Sequence, residues 1–222
     1  MPIEERDVVI VDADARLAGM LSVPLHASGL VIFAHGSGSS SRSPRNLAVA
    51  RRLHEHGLAS FLFDLLTDDE AADRRNVFDI DLLGRRLRAA TEQIAVDVSV
   101  RDTPIGYFGA STGAAAALTA AADVGPDLIA AVVSRGGRPD LAGAKLARVA
   151  SPTLLIVGGS DPQVLRLNEE ARLRLHGESV LVVIPGATHL FEEAGALERV
   201  AQLAAGWFAG HFAARAESSG GR

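Results

Sequence analysis

The residues of this 222-residue chain that could do chemistry together are a serine, an aspartate and a histidine, met in that order along the sequence. Ser111 stands in Gly109-Ala110-Ser111-Thr112-Gly113, a G-x-S-x-G pentapeptide that follows the apolar run Pro104-Ile105-Gly106-Tyr107-Phe108 and opens an alanine-rich stretch. A serine on a sharp strand-to-helix turn is held in strained backbone with its hydroxyl outward, and the flanking glycines let strand and helix pass closely. The helix N-terminus beneath it favours developing negative charge. A serine hydroxyl is still a weak nucleophile at neutral pH; it needs a base to take its proton and a third group to orient that base. Asp161 follows the apolar run Thr153-Leu154-Leu155-Ile156-Val157 through Gly158-Gly159-Ser160. His189 follows Ser179-Val180-Leu181-Val182-Val183-Ile184 through Pro185-Gly186-Ala187-Thr188. In an open parallel sheet the carboxyl ends of the strands lie on one edge, so residues that each end a strand converge there without being sequence neighbours.

A fourth segment completes the chemistry. Leu30-Val31-Ile32-Phe33-Ala34 reads as a buried strand and runs into His35-Gly36-Ser37-Gly38-Ser39-Ser40. Attack on a carbonyl creates an oxyanion that preorganised donors must meet. The backbone N–H groups of Thr112 and Ser37 are the expected donors. The expected reaction is two-step acyl transfer: His189, oriented by Asp161, deprotonates Ser111, and water later releases the acyl group.

With His35-Gly36-Ser37-Gly38, the elbow around Ser111, Gly159-Ser160-Asp161 and Gly186-Ala187-Thr188-His189 in hand, the chain resembles the α/β-hydrolase superfamily over nearly its whole length. More narrowly it is similar to the dienelactone-hydrolase-like branch, with a serine nucleophile. The best-known dienelactone hydrolases use a cysteine, and this chain has none, so the resemblance implies the fold but not the dienelactone substrate. A small ester, thioester or lactone is the expected substrate class. Acyl transfer to another acceptor, or amide hydrolysis, would use the same triad, and a non-catalytic ligand-binding protein on this fold is the alternative from a different class. Each residue also has a structural reading: Ser111 as a small residue at a tight turn, Asp161 before Pro162 as a helix N-cap, His189 as a loop histidine.

The elements that must position these residues alternate. Residues 8–11 and 17–23 read as an opening hairpin, and strands follow at 30–34, 59–65, 104–108, 128–133, 153–157 and 180–184. A helix is expected from Pro44 to His56 with Ser43 as N-cap, and another over residues 77–96. The alternation implies an α/β fold: a mainly parallel sheet of about eight strands with helices on both faces. Residues 136–151 leave space for little more than a short helix at 141–149, so no substantial lid is expected and the site should be open to small substrates. Residues 1–216 form one expected domain, with 217–222 a disordered tail.

A net charge of -5 argues against nucleic acid or an anionic membrane surface as a partner. No segment reaches the roughly 20 apolar residues that span a bilayer, and residues 1–7 are acidic without a leader-like apolar core, which gives cytoplasm as the expected compartment. No cofactor is expected, and neither the acidic stretch Asp68-Asp69-Glu70 nor the pair Asp79 and Asp81 has the spacing of a metal loop. Arg42 and Arg45 border the oxyanion loop, and Arg135 and Arg138 flank Gly136-Gly137. Surface charge is the plainer reading of all four; the sharper one is that Arg135 or Arg42 holds an anionic substrate group through charge-assisted hydrogen bonds.

Overall fold

The computed structural model describes residues 2–220. Eight strands form one sheet: β1 (Ile3–Asp12), β2 (Ala15–Pro24), β3 (Leu30–Ala34), β4 (Ala59–Phe63), β5 (Ile105–Ala110), β6 (Ile129–Arg135), β7 (Thr153–Gly158) and β8 (Ser179–Ile184). Their spatial order is β1-β2-β4-β3-β5-β6-β7-β8. The β1–β2 hairpin and the β2–β4 pair are antiparallel, and every pair from β4 onward across the sheet is parallel. The four strands β3, β4, β5 and β6 are buried along their whole length, as continuous apolar runs without alternation require when helices cover both faces.

The helices are α1 (Pro44–Glu55), two single turns α2 (Asp68–Ala71) and α3 (Arg74–Val77), α4 (Ile80–Ile94), α5 (Thr112–Val124), α6 (Pro162–Arg172) and α7 (Ala196–Gly220). A 3-10 segment, Pro139–Arg148, is broken at Gly143. One core packs Ile32, Tyr107 and Leu155 against Leu83, Leu87 and the alanines of α5. The other packs Phe33, Phe108 and Val133 against Leu53 of α1 and Phe208 and Phe212 of α7.

Several local expectations change in the structure. The helix expected over 77–96 begins at Ile80, where the Asp79 side chain accepts the Leu82 N–H, and residues 74–77 form their own turn capped by Asp73. Ser43 stands at the N-cap of α1 but makes no side-chain capping bond. The segment after β6 is as expected: a short 3-10 stretch that buries Pro139, Ala142 and Leu146 and forms no lid. The tail is also different from expectation: α7 runs on through Gly220, and Ser218 donates its hydroxyl to the Ala214 carbonyl one turn back. Residues 221 and 222 of the expected tail lie outside the described residues. Among the described residues no helix is long and apolar enough to cross a membrane.

Candidate active site

Ser111 sits between β5, at the middle of the sheet, and the first residue of α5, with φ 52° and ψ -121°. Residues other than glycine pay for this left-handed region in strain. Three backbone hydrogen bonds of 3.1 Å hold it: the Ser111 N–H donates to the Arg135 carbonyl, and its own carbonyl accepts from Ala114 and Arg138. The side chain is not used as a helix cap. The glycines are needed for close approach: a Cβ on Gly113 would strike the carbonyls of Ala34 and His35, and one on Gly109 would lie 2.5 Å from the Ala114 Cα.

His189 reaches the same edge from the turn after β8. Its Nδ1 lies 2.8 Å from Asp161 Oδ2. The other carboxylate oxygen of Asp161 accepts the Val164 N–H at 3.2 Å and caps α6. Thus Asp161 both caps a helix and fixes the imidazole. With Nδ1–H donated to Asp161, Nε2 is the nitrogen left to act as base. The two loops are joined by backbone, Gly159 donating to Ile184 and Ser160 to Ala187. The His189 loop also touches the end of β6: a Cβ on Gly136 would lie 3.2 Å from the His189 carbonyl oxygen. Among the described residues no hydrogen bond joins Ser111 Oγ to His189; in such sites this contact tightens when substrate is bound.

The loop after β3 is pinned at both ends. The His35 ring accepts the Leu65 N–H on Nε2 at 3.1 Å, which leaves Nδ1 to donate to the Gly36 carbonyl at 3.1 Å. Burial pushes the His35 pKa down, against the pull of Asp64, in keeping with this neutral tautomer. At the far end Asp64 accepts both the N–H and the hydroxyl of Ser41. Gly36 crosses so near the elbow that a Cβ there would come within 2.9 Å of Ser111 Cβ. Ser37, expected as an oxyanion donor, donates its N–H to Thr112 Oγ1 at 2.8 Å, while the Thr112 N–H has no acceptor among the described residues. A cavity of about 210 Å³ opens beside these two residues, walled by Leu65, Leu66, Val77 and Leu83.

The arginines separate. Arg138 is engaged by both carboxylate oxygens of Asp140, at 2.8 and 2.7 Å. Arg42 is exposed and lines a neighbouring groove between α1 and the hairpin, with Glu5 and Met20. Arg45 approaches the exposed Glu192 at 3.5 Å. Arg135 is buried, and burial together with the nearby Arg45 pushes its pKa down to about 10. Sequence reasoning missed the Thr112 hydroxyl, the Arg45–Glu192 contact and the Leu65–Val77 cavity wall; the apolar Leu65-Leu66 pair after β4 was the one available signal for that wall.

An eight-stranded, mostly parallel sheet carrying a strained serine turn at its centre defines an α/β hydrolase. A model of the Dienelactone hydrolase family matches residues 14–209, and the chain belongs to that family. The crystal structure of a dienelactone hydrolase from Anabaena variabilis is 50% identical and superposes with a TM-score of 0.89, over 93% of this chain and 97% of that one. A dienelactone hydrolase-like promiscuous phosphotriesterase from metagenomic libraries shares the fold at 20% identity and a TM-score of 0.79, over 95% of this chain and 99% of that one. A Mycobacterium tuberculosis protein named "Putative phosphoribosyl transferase", from two strains, is 54% identical over 210 residues, 95% of this chain and 47% of that protein. The chain therefore spans about half the length of these curated relatives.

Proposed function

We propose that this chain is a serine hydrolase that cleaves a small ester, thioester or lactone through an acyl-enzyme on Ser111. The backbone of Ser111 carries this reading. A glycine would occupy φ 52° without strain, so a serine held there, with its hydroxyl uncommitted to capping, is retained for what the hydroxyl does. His189 Nε2 takes the Ser111 proton as Oγ attacks the carbonyl carbon, and Asp161 stabilises the imidazolium that forms. The Thr112 N–H donates to the oxyanion directly. The Ser37 N–H acts through the Thr112 hydroxyl, which accepts from it and turns its own proton to the same oxygen. His189 then returns the proton to the leaving group, and a water activated by His189 releases the acid. The cavity beside Ser37 and Thr112 admits a short acyl or alcohol group and suits a small-molecule substrate.

The name carried by the Mycobacterium tuberculosis relatives belongs to proteins of which this chain matches about half, and the elbow favours acyl transfer here. Intact-mass spectrometry after treatment with a small fluorophosphonate, with turnover of short-chain p-nitrophenyl esters, tests the proposal. One adduct and ester turnover, both lost in Ser111→Ala, support it. A folded protein with neither adduct nor turnover overturns it in favour of a ligand-binding role.

A further inference from the structure

Arg135 is 7% exposed, and its Nε and Nη1 are buried without a hydrogen-bond partner. Among the described residues its side chain makes neither a hydrogen bond nor an ion pair. The charge that acts on it is another guanidinium, that of Arg45. A buried charge beside a like charge is among the costliest arrangements a fold can hold, and a buried polar group without partners calls for an explanation. The backbone of Arg135 is part of the site, since its carbonyl receives the Ser111 N–H. Strand alternation puts its side chain on the face of β6 where Val133 packs in the cluster containing Phe191, two residues after His189, and Ala196, the first residue of α7.

Arg45 is the first residue after Pro44 in α1. Its Nε is also buried without a partner, and its Nη1 meets the exposed Glu192 carboxylate only at 3.5 Å. The first turn of α1 holds no acidic residue, and Ser43 supplies no side-chain cap. Arg45 and Glu192 line one surface cavity with Phe191, and the Phe191 ring lies 3.3 Å from the Cβ position of Gly136, the residue after Arg135; the two guanidiniums therefore flank one part of the site edge, with a single loose carboxylate beside Arg45.

We propose that Arg135 and Arg45 form a binding site for a phosphate group, which displaces Glu192 from Arg45. A monocarboxylate does not fit as well: Glu192 already supplies one, and Arg135 is still left bare. A phosphate monoester brings a charge of roughly -1.5 to -2 at neutral pH and three acceptor oxygens, enough for both forks. The helix N-terminus adds to the attraction. Combined with the acyl-transfer reading above, on which this last step rests, the substrate is an ester, thioester or lactone carrying a phosphate group. Binding of phosphate itself does not depend on that reading.

Inorganic phosphate is the probe, titrated by calorimetry and by thermal unfolding against chloride at matched ionic strength. The wild type is expected to bind phosphate and be stabilised by it; Arg135→Gln and Arg45→Gln weaken binding about tenfold or more. Glu192→Gln tightens binding several-fold because the competing carboxylate is gone. Without phosphate, Arg135→Gln unfolds no earlier than the wild type, since it removes an uncompensated charge. A wild type indifferent to phosphate, or binding that Arg45→Gln and Glu192→Gln leave unchanged, overturns the proposal even if Arg135→Gln fails to fold. The fluorophosphonate adduct on wild-type Ser111 is read separately: an adduct without phosphate binding sinks this site and leaves the hydrolase, and phosphate binding without an adduct does the reverse.

Discussion

Ser37 donates its backbone N–H to Thr112 Oγ1 across 2.8 Å, so the loop after β3 and the helix that starts at the elbow meet through one side-chain oxygen. Replacing Thr112 by the isosteric Val removes that acceptor and the proton it passes on. We expect kcat to fall by about 10²-fold, the usual cost of losing one oxyanion donor, with KM changed little. Thr112→Ser keeps the hydroxyl and should remain close to wild type. Steady-state kinetics on a short-chain ester decide it: a Val variant as fast as wild type means that Ser37 donates directly and the hydroxyl is a bystander.

The strain at Ser111 should be measurable as stability withheld. Glycine adopts φ 52° freely, whereas alanine does not. Ser111→Gly is therefore expected to gain about 1 kcal/mol, a rise of roughly 2–4 °C in Tm for a chain of this size, while activity is lost. Ser111→Ala should lose activity without that gain. Calorimetry of the two variants side by side checks this, and equal melting temperatures would mean that the turn carries no strain.

Asp161 does two jobs with two oxygens, and the two can be pulled apart. Asn is as good an N-cap as Asp, so Asp161→Asn should retain the cap on α6 while upsetting the His189 tautomer, lowering kcat by about 10⁴-fold with little change in stability. Asp161→Ala should show the same catalytic loss plus about 1 kcal/mol of destabilisation. Denaturant titration and kinetics on both variants separate the roles. Ester turnover in Asp161→Asn within tenfold of wild type would remove Asp161 from the mechanism.

Two histidines tie stability to pH. Burial lowers the pKa of His35 and of His54 below the ordinary 6.5, while Asp64 and Glu5 respectively pull the other way. In the window between the folded and unfolded values the unfolded chain binds more protons than the folded one, so stability rises with pH there. The contribution is complete above about 6.5 and is lost as pH falls below it. Urea unfolding at a series of pH values should show this fall, with a shallower slope in His35→Gln. His35→Leu removes the acceptor for the Leu65 N–H altogether, so its ester turnover should also drop at pH 8, where protonation plays no part.

The strands, and the ends at which Ser111, Asp161 and His189 stand, were legible in the sequence because each is a local pattern. Ser111, Asp161 and His189 each follow an apolar run through glycine-rich turns, and the parallel pairing of β5, β6, β7 and β8 brings those ends to one edge. What was not legible depends on groups far apart in sequence. The Leu65 N–H finds His35 thirty positions back because β3 and β4 are parallel neighbours, and no spacing rule announces that pairing. Residues 67–79 have too little periodicity to show two capped single turns in place of a continuous helix; Thr67 with Glu70 is a capping box, recognisable only at close range. Arg45 and Arg135 lie ninety positions apart, so their mutual repulsion belongs to the packing of α1 over the sheet. The end of α7 was misjudged on composition: Glu217 and Ser218 are helix-compatible once a long helix already precedes them.

Helix α5 is buried from Thr112 to Ala122, and eight of the eleven side chains in that span are a methyl group or less. Alanine gives up no rotamer freedom on burial but also brings little apolar area, so the platform beneath Ser111 is held by backbone contact more than by hydrophobic drive. Such a helix tolerates almost no growth: a valine or leucine would have to push the sheet or α4 aside, at a cost of about 1–3 kcal/mol. Any evolutionary or laboratory change of specificity must therefore enter through residues 36–42, 64–79 and 188–195. The seat of Ser111 stays fixed while its surroundings are free to be rewritten.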